Sequence, residues 1–191
     1  PLETDPHYLL AALAAFHDYN WADAEREIQM ALASPSASAE VHFIRGGMLS
    51  AFGRFEESSA EIRRAVELDP LVVLWRGILM AHLVCAERYD DALAESSPAL
   101  DVSESEIHPH LAMAEAYLGL GRLDEALASA GRAHRNLPQQ SMGTGFLAAV
   151  LVRRGERDRA DTLVKQIGDT PTPIWGRVWY HLLCSEIAEA A

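Results

Sequence analysis

Two cysteines, Cys85 and Cys184, are all that 191 residues carry, and they lie far apart with no CxxC spacing. A disulfide framework and a thiolate zinc site are therefore excluded, and the pair reads as small helix-packing residues of a reducing, cytoplasmic compartment. No apolar run reaches the roughly 18 residues that cross a bilayer, and no signal-peptide pattern opens the chain. HExxH, GxSxG, a phosphate-cradling glycine loop and paired CxxC motifs are missing as well, so no enzyme class is indicated and no cofactor is expected. Positive charge is scarce: 16 basic residues stand against 28 acidic ones, a formal net charge of −12. Such a surface repels phosphate backbones, which argues against nucleic acid as a partner.

The residues with chemical potential are scattered. His108 and His110 bracket Pro109, but two residues apart on a helix their side chains diverge, so no metal site is expected. Glu56-Glu57 and Asp90-Asp91 fall at expected helix starts, where carboxylates meet the positive end of the helix dipole. Arg153, Arg154 and Arg157 read as a solvated helix terminus rather than an anion site.

What the chain has is a period. Ala24, Ser58, Ala92, Ala126 and Ala160 are each separated by 34 residues. Four residues on come Ile28, Ile62, Ser96, Ala130 and Val164; seven on come Ala31, Ala65, Ala99, Ala133 and Ile167. Offsets of 0, +4 and +7 share one helical face. Large side chains precede them at Trp21, Phe55, Tyr89 and Leu123, with Arg157 breaking the series. Twelve residues upstream of each small site lies Ala12, Gly46, Met80, Ala114 or Ala148. Small residues let helices approach closely while the bulky ones fill the space between units.

A 34-residue period of paired helices resembles the tetratricopeptide repeat family, over residues 5 to about 174. Gly53 and Gly121 stand at turns, and Pro70 and Pro138 at unit ends, in the two most regular units. The resemblance implies an all-α, right-handed superhelical solenoid of units at 5–38, 39–72, 73–106, 107–140 and 141–174, with a terminal helix over 174–190. With 49% hydrophobic residues the chain can bury a continuous core by stacking neighbour on neighbour. The wording DYNWADAEREIQMALA, followed by the GRFEESSAEIRRAVELDP unit, is also similar to the C-terminal repeat region of bacterial multidomain regulators. Pro1 in place of Met leads us to expect a piece of something longer.

Irregularities are predicted at four places. Pro98 removes a donor and clashes with the carbonyl of Ala94, so a kink or stop is expected near Ser96-Ser97. Ser103 and Glu106 offer a capping box to the next helix. Gly143 and Gly145 are expected to fray or delay the first turn of the fifth unit. Residues 1–5, the SPSAS connection at 34–38 and Thr170–Pro173 read as linker or breaks.

In repeats of this kind the first helix of each unit lines the concave surface. By alignment that face includes Leu9, Leu13, Phe43, Gly47, Leu74, Ala81, His108, Leu111 and Glu115. Leu9 and Leu13 stand where chaperone-binding members carry a carboxylate clamp, so an acidic peptide tail is not the expected partner. A protein segment, such as an amphipathic helix or an apolar peptide, suits the groove better. The resulting expectation is a non-enzymatic interaction module, the sensory or scaffold part of a larger regulator. Two alternatives are a small apolar ligand enclosed by the groove, and an oligomerisation domain (a homodimer) pairing through the last helix. Trp175 and Trp179 are the candidate contacts between copies.

Overall fold

A computed structural model describes residues 6–34, 37–168 and 173–189, the last five of these as backbone only. The linker expected at 1–5, part of the 34–38 connection, most of the 170–173 break and residue 190 lie outside the described residues. The described residues form helices joined by short turns: α1 (Pro6–Phe16), α2 (Trp21–Leu32), α3 (Ala39–Ala51), α4 (Phe55–Leu68), α5 (Val73–Cys85) and α6 (Tyr89–Ala94). There follow α7 (Ser96–Val102), α8 (Ile107–Gly119), α9 (Leu123–Asn136), α10 (Ser141–Arg153), α11 (Arg157–Ile167) and α12 (Pro173–Glu189). Successive helices pack as pairs, α1 with α2, α3 with α4, α5 with α6 and α7, α8 with α9, α10 with α11, and each pair stacks on the next. The result is an all-α superhelical solenoid.

The small-residue register forms the seam of each pair. Ala24, Ser58, Ala92, Ala126 and Ala160 are fully buried, as are Ala31, Ala65, Ala99 and Ile167. At the +4 position Ile28, Ile62 and Ala130 are buried too. Ser96 leaves the pattern because the helix breaks there: its hydroxyl donates to the carbonyl of Leu93 at 2.6 Å. The break falls at Glu95, between α6 and α7, three residues ahead of Pro98. Ser58, the one hydroxyl in the small series, is satisfied by donating to the Gly46 carbonyl at 2.7 Å.

Each pair turns over through a left-handed residue, and four of the five close the turn in the same way. Positive φ recurs at Tyr19, Gly53, Glu87, Gly121 and Gly155, again every 34 residues. After the turn, Arg54, Arg88, Arg122 and Glu156 donate their amides back five residues, to the carbonyls of Leu49, Leu83, Tyr117 and Leu151. This is the Schellman closure, which needs a left-handed residue just past the helix end and therefore favours glycine.

Two expectations are corrected. The start of α10 is not frayed: the helix begins at Ser141, and Gly143 and Gly145 are buried. A Cβ on Gly143 would come within 3.0 Å of the Ala133 backbone, and one on Gly145 within 2.1 Å of the Gly176 carbonyl oxygen. These glycines let backbones touch, which outweighs their helix penalty of about 1 kcal/mol each. The capping box at α8 is not formed either. Glu106 is itself the N-cap, accepting from the amides of Ile107 and His108, while the Ser103 hydroxyl lies 3.2 Å from that of Ser105.

Candidate functional site

The face predicted for partner binding runs along α1, α3, α5 and α8. Leu9 and Leu13 are about half exposed, at 53% and 51%, and Leu74 is 38% exposed. Phe43 is partly buried and stacks on Trp75 of α5, centroids 5.7 Å apart. Gly47 is also partly buried, with the Phe16 ring 3.1 Å from where its Cβ would stand, so any side chain there would displace that ring. Ala81, His108 and Glu115 are each partly exposed.

Leu111 differs. At 5% exposure it belongs to an interior cluster with Ala114, Ala130 and Phe146, so it cannot present a surface to a partner. The rest of that cluster comes from α8, α9, α10 and α12, so Leu111 faces the seam with α9 and the next pair rather than the groove. Gly77 brings α5 onto α8 one turn earlier, its missing Cβ only 2.6 Å from the Cβ of His108. Alignment gave the helical face but not the depth.

His108 and Glu106 form a charged corner at one end of this face, Nδ1 to Oε1 2.6 Å. Burial works to raise the Glu106 carboxyl, but hydrogen bonds from His108 and the helix amides hold it below its ordinary range. Burial, with the nearby Glu115 carboxylate, raises the Cys85 thiol and keeps it protonated. The two thiols are unbridged.

His110 is fully buried behind this corner, its Nε2 donating to the Glu104 carbonyl at 2.9 Å. Asn136 donates to the same oxygen at 3.0 Å, so one carbonyl ties the 103–106 loop to both α8 and α9. Neither histidine is placed as a metal ligand, and among the described residues no cluster of three or more His, Cys, Asp or Glu could hold an ion. The one hydroxyl–imidazole pair in the small-residue seam is Ser58 and His82, Oγ to Nδ1 2.9 Å. Because Ser58 already donates to Gly46, the imidazole must be the donor, which is the reverse of nucleophile activation. Burial lowers the His82 pKa.

A second period was present in the sequence and not read from it. Glu27, Glu61 and Glu95 are 34 residues apart, and each pairs with a histidine or arginine on the first helix of its own pair. Glu27 meets His7 at 2.8 Å; Glu61 meets His42 at 2.8 Å and Arg45 at 3.0 Å; Glu95 meets Arg76 and Arg63 at 2.6 Å each. The ladder ends where Ser129 and Leu163 take the next two positions. Of the three arginines near the end of α10, Arg154 is committed to Asp124 and Glu156.

The last helix divides its apolar residues between two faces. Trp179 turns inward to Phe146, centroids 4.9 Å apart, and Leu183 is 5% exposed. Gly176 lies against α10, its amide donating to the Ser141 hydroxyl at 3.0 Å. Ile174, Trp175, Val178 and Leu182 face outward at 66, 56, 40 and 52% exposure. Of the two predicted contact residues, Trp175 is on the surface and Trp179 packs within the chain. No helix of the described residues is long and apolar enough to cross a membrane.

The fold is shared with solved structures of low sequence identity. A thermophilic TPR protein of Thermus thermophilus, TTC0263, superposes with a TM-score of 0.76 at 18% identity, over 94% of this chain and 98% of that one. MamA (residues 41 to the end) from Desulfovibrio magneticus RS-1 gives 0.68 at 15% identity, over 87% and 95%. No protein-family model matches the chain, and no curated protein matches it in sequence. At this identity the likeness establishes the tetratricopeptide-type fold and nothing finer.

Proposed function

We propose that this chain is a non-enzymatic protein-interaction module that holds a helical or apolar segment of a partner against its first-helix face. The observation that carries the reading is the apolar exposure on the first helices α1 and α5. Leu9, Leu13, Phe16 and Leu74 stand 38 to 53% in water although the seam residues behind them are sealed. Exposed apolar side chains recurring on one face of a rigid array are what an amphipathic helix needs for its anchors. Glu115, with the His108–Glu106 corner, would set polarity at one end. A reading as the sensory or scaffold arm of a bacterial regulator, in a reducing cytoplasm, is compatible with the unbridged thiols and rests on the sequence resemblance alone. An enclosed small-molecule site is less well supported. An apolar recess of about 890 Å³ is lined by α12 residues including Ile174, Val178 and Leu182 and not by the first-helix face.

The test is to select amphipathic helical peptides against the protein from a display library and measure their affinity for Leu74→Glu and Ala81→Glu. Both sites are partly exposed, so circular dichroism should be unchanged while affinity falls about tenfold or more. Selected peptides that bind both variants as tightly as the parent would sink the proposal.

A further inference from the structure

The turn edge of the first two pairs gathers aromatic rings. Phe16 at the end of α1 meets Trp21 at the start of α2 edge-on, centroids 6.5 Å apart, and Trp21 meets Phe52 of the α3–α4 turn at 4.9 Å. Phe16 and Phe52 are 47 and 57% exposed, and Tyr19, in the turn between Phe16 and Trp21, is 72% exposed. Tyr19 stands in left-handed backbone, φ 54°, at the position that Gly53, Gly121 and Gly155 hold in other pairs. A Cβ at any of those glycines would meet nothing within 4 Å, so the position is open to solvent wherever glycine holds it. A tyrosine left mostly in water recovers little of the backbone cost of about 1 kcal/mol, and strain kept without a packing return marks a surface put to use.

The rim of this edge is acidic, and its own cations are already engaged. Asp18, Asp23, Glu25, Glu56 and Glu57 stand against Arg26 and Arg54. Arg26 is held on Asp23 at 2.6 Å and Arg54 on Glu57 at 2.5 Å. The Glu25 carboxylate of α2 also acts on Arg54, which joins the two pairs in one field. Acids in the first turn of a helix are favoured by its dipole, and they recur at Asp90-Asp91 and Asp124-Glu125. There, however, Ala86 and Leu120 take the place of Phe52, and Glu87 and Gly121 that of Tyr19. The residue after the left-handed one differs too. Arg54, Arg88 and Arg122 hold that place in the next three pairs, and Arg122 lies over the Tyr117 ring, 4.7 Å from its centroid. Asn20 holds it in the first pair, so the rings there receive no cation from their own turn.

We propose that this turn edge binds an arginine-bearing segment of a protein partner, the guanidinium stacking on the exposed rings of Phe16, Tyr19 and Phe52 while its charge meets the carboxylates of the rim. Arginine suits the edge better than lysine, because its flat, weakly hydrated guanidinium stacks on a ring and pairs with a carboxylate at once. A wholly apolar segment would leave the acidic rim without a counterpart, and a phosphate-bearing one would be repelled. The site shares only Phe16 with the first-helix face and does not rest on that reading, since neither Leu74 nor Ala81 takes part.

The experiment is an NMR titration of the isotope-labelled chain, followed at the Trp21 indole N–H. The probes are a synthetic peptide of alternating alanine and arginine and its lysine and citrulline counterparts. The arginine peptide should shift the Trp21 resonance saturably, the lysine peptide should bind at least about threefold more weakly, and the neutral citrulline peptide should not bind. Tyr19→Gly, which relieves the left-handed backbone, and Phe52→Leu should each weaken the arginine peptide by about threefold to tenfold with helicity unchanged. Leu74→Glu and Ala81→Glu, which test the first-helix reading, should bind it as tightly as the parent; a loss there would place the peptide on the first-helix face and overturn this site. The proposal is also overturned if the arginine peptide leaves the Trp21 resonance in place. Equal binding of the arginine and lysine peptides, or parent-like affinity in both Tyr19→Gly and Phe52→Leu, would overturn it as well, since net charge alone would then attract the peptide.

Discussion

At the residue scale, the turn inside each pair sets one conformational demand five times and meets it with glycine three times. Tyr19 and Glu87, with φ of 54° and 57°, hold the positions that Gly53, Gly121 and Gly155 hold elsewhere. A side chain in the left-handed region costs about 1 kcal/mol, so Glu87→Gly should stabilise by up to about that amount. Gly121→Ala should destabilise by a similar amount, both read from urea midpoints. His82 gives a pH signature. Burial holds its pKa below 6.5, so below that pH the unfolded chain takes up a proton that the folded one refuses. Stability is therefore complete above about pH 6.5 and declines as pH falls through it. His134 adds to the effect, its pKa lowered by burial and by Arg135. His82→Asn, whose amide can still donate to Ser58, should flatten the loss of Tm between pH 7.5 and 5.5. The carboxylates of Glu57, Glu125 and Glu156, held low by Arg54, Arg122 and Arg154, act only at more acid pH. An unchanged slope in His82→Asn would assign the acid sensitivity to another group.

At the scale of elements, what was legible is what repeats. The 0, +4, +7 register placed the second helices, because a small residue at a crossing has the same meaning in every copy. The interruption ahead of Pro98 was legible because proline acts locally. Illegible were features defined by a second backbone. Gly143 and Gly145 look like helix breakers until Ala133 and Gly176 are seen against them. Leu111 looks like groove until α9 and α10 are seen packed over it. The apolar offsets of α12 look like one stripe, although Trp179 and Leu183 turn inward while Trp175, Val178 and Leu182 do not. Gly145→Ala tests this reading of α10 and α12. Its new methyl would meet the Gly176 carbonyl at 2.1 Å, and backbone cannot swing aside as a side chain can. We expect a loss of about 1–3 kcal/mol and a changed Trp179 emission as its contact with Phe146 opens. A variant as stable as the parent, with unaltered fluorescence, would mean that the two helices are not held in contact there.

For the whole molecule, the decisive property is that contacts are local along the array. Apart from the α5–α8 and α10–α12 crossings and the broken α6–α7 helix, each helix packs chiefly on the helices just before and after it. Stability should therefore be a sum of neighbour terms, greatest where both neighbours are present. Backbone protection against hydrogen exchange is then expected to peak in α5 and α8 and to fall toward α1 and α12. Ending the chain at Gly168 removes the helix that covers Phe146 and lies against Gly145, so α10 and α11 lose one of their two supports. Their amides should exchange at least about tenfold faster, a cost of about 1.4 kcal/mol or more, while those of α1 to α4 change less than about twofold. A uniform loss of protection from α1 to α11 would instead mean that the array unfolds as one cooperative body. In that case neither end could be altered without disturbing the first-helix face, and binding there would be coupled to the stability of the whole array.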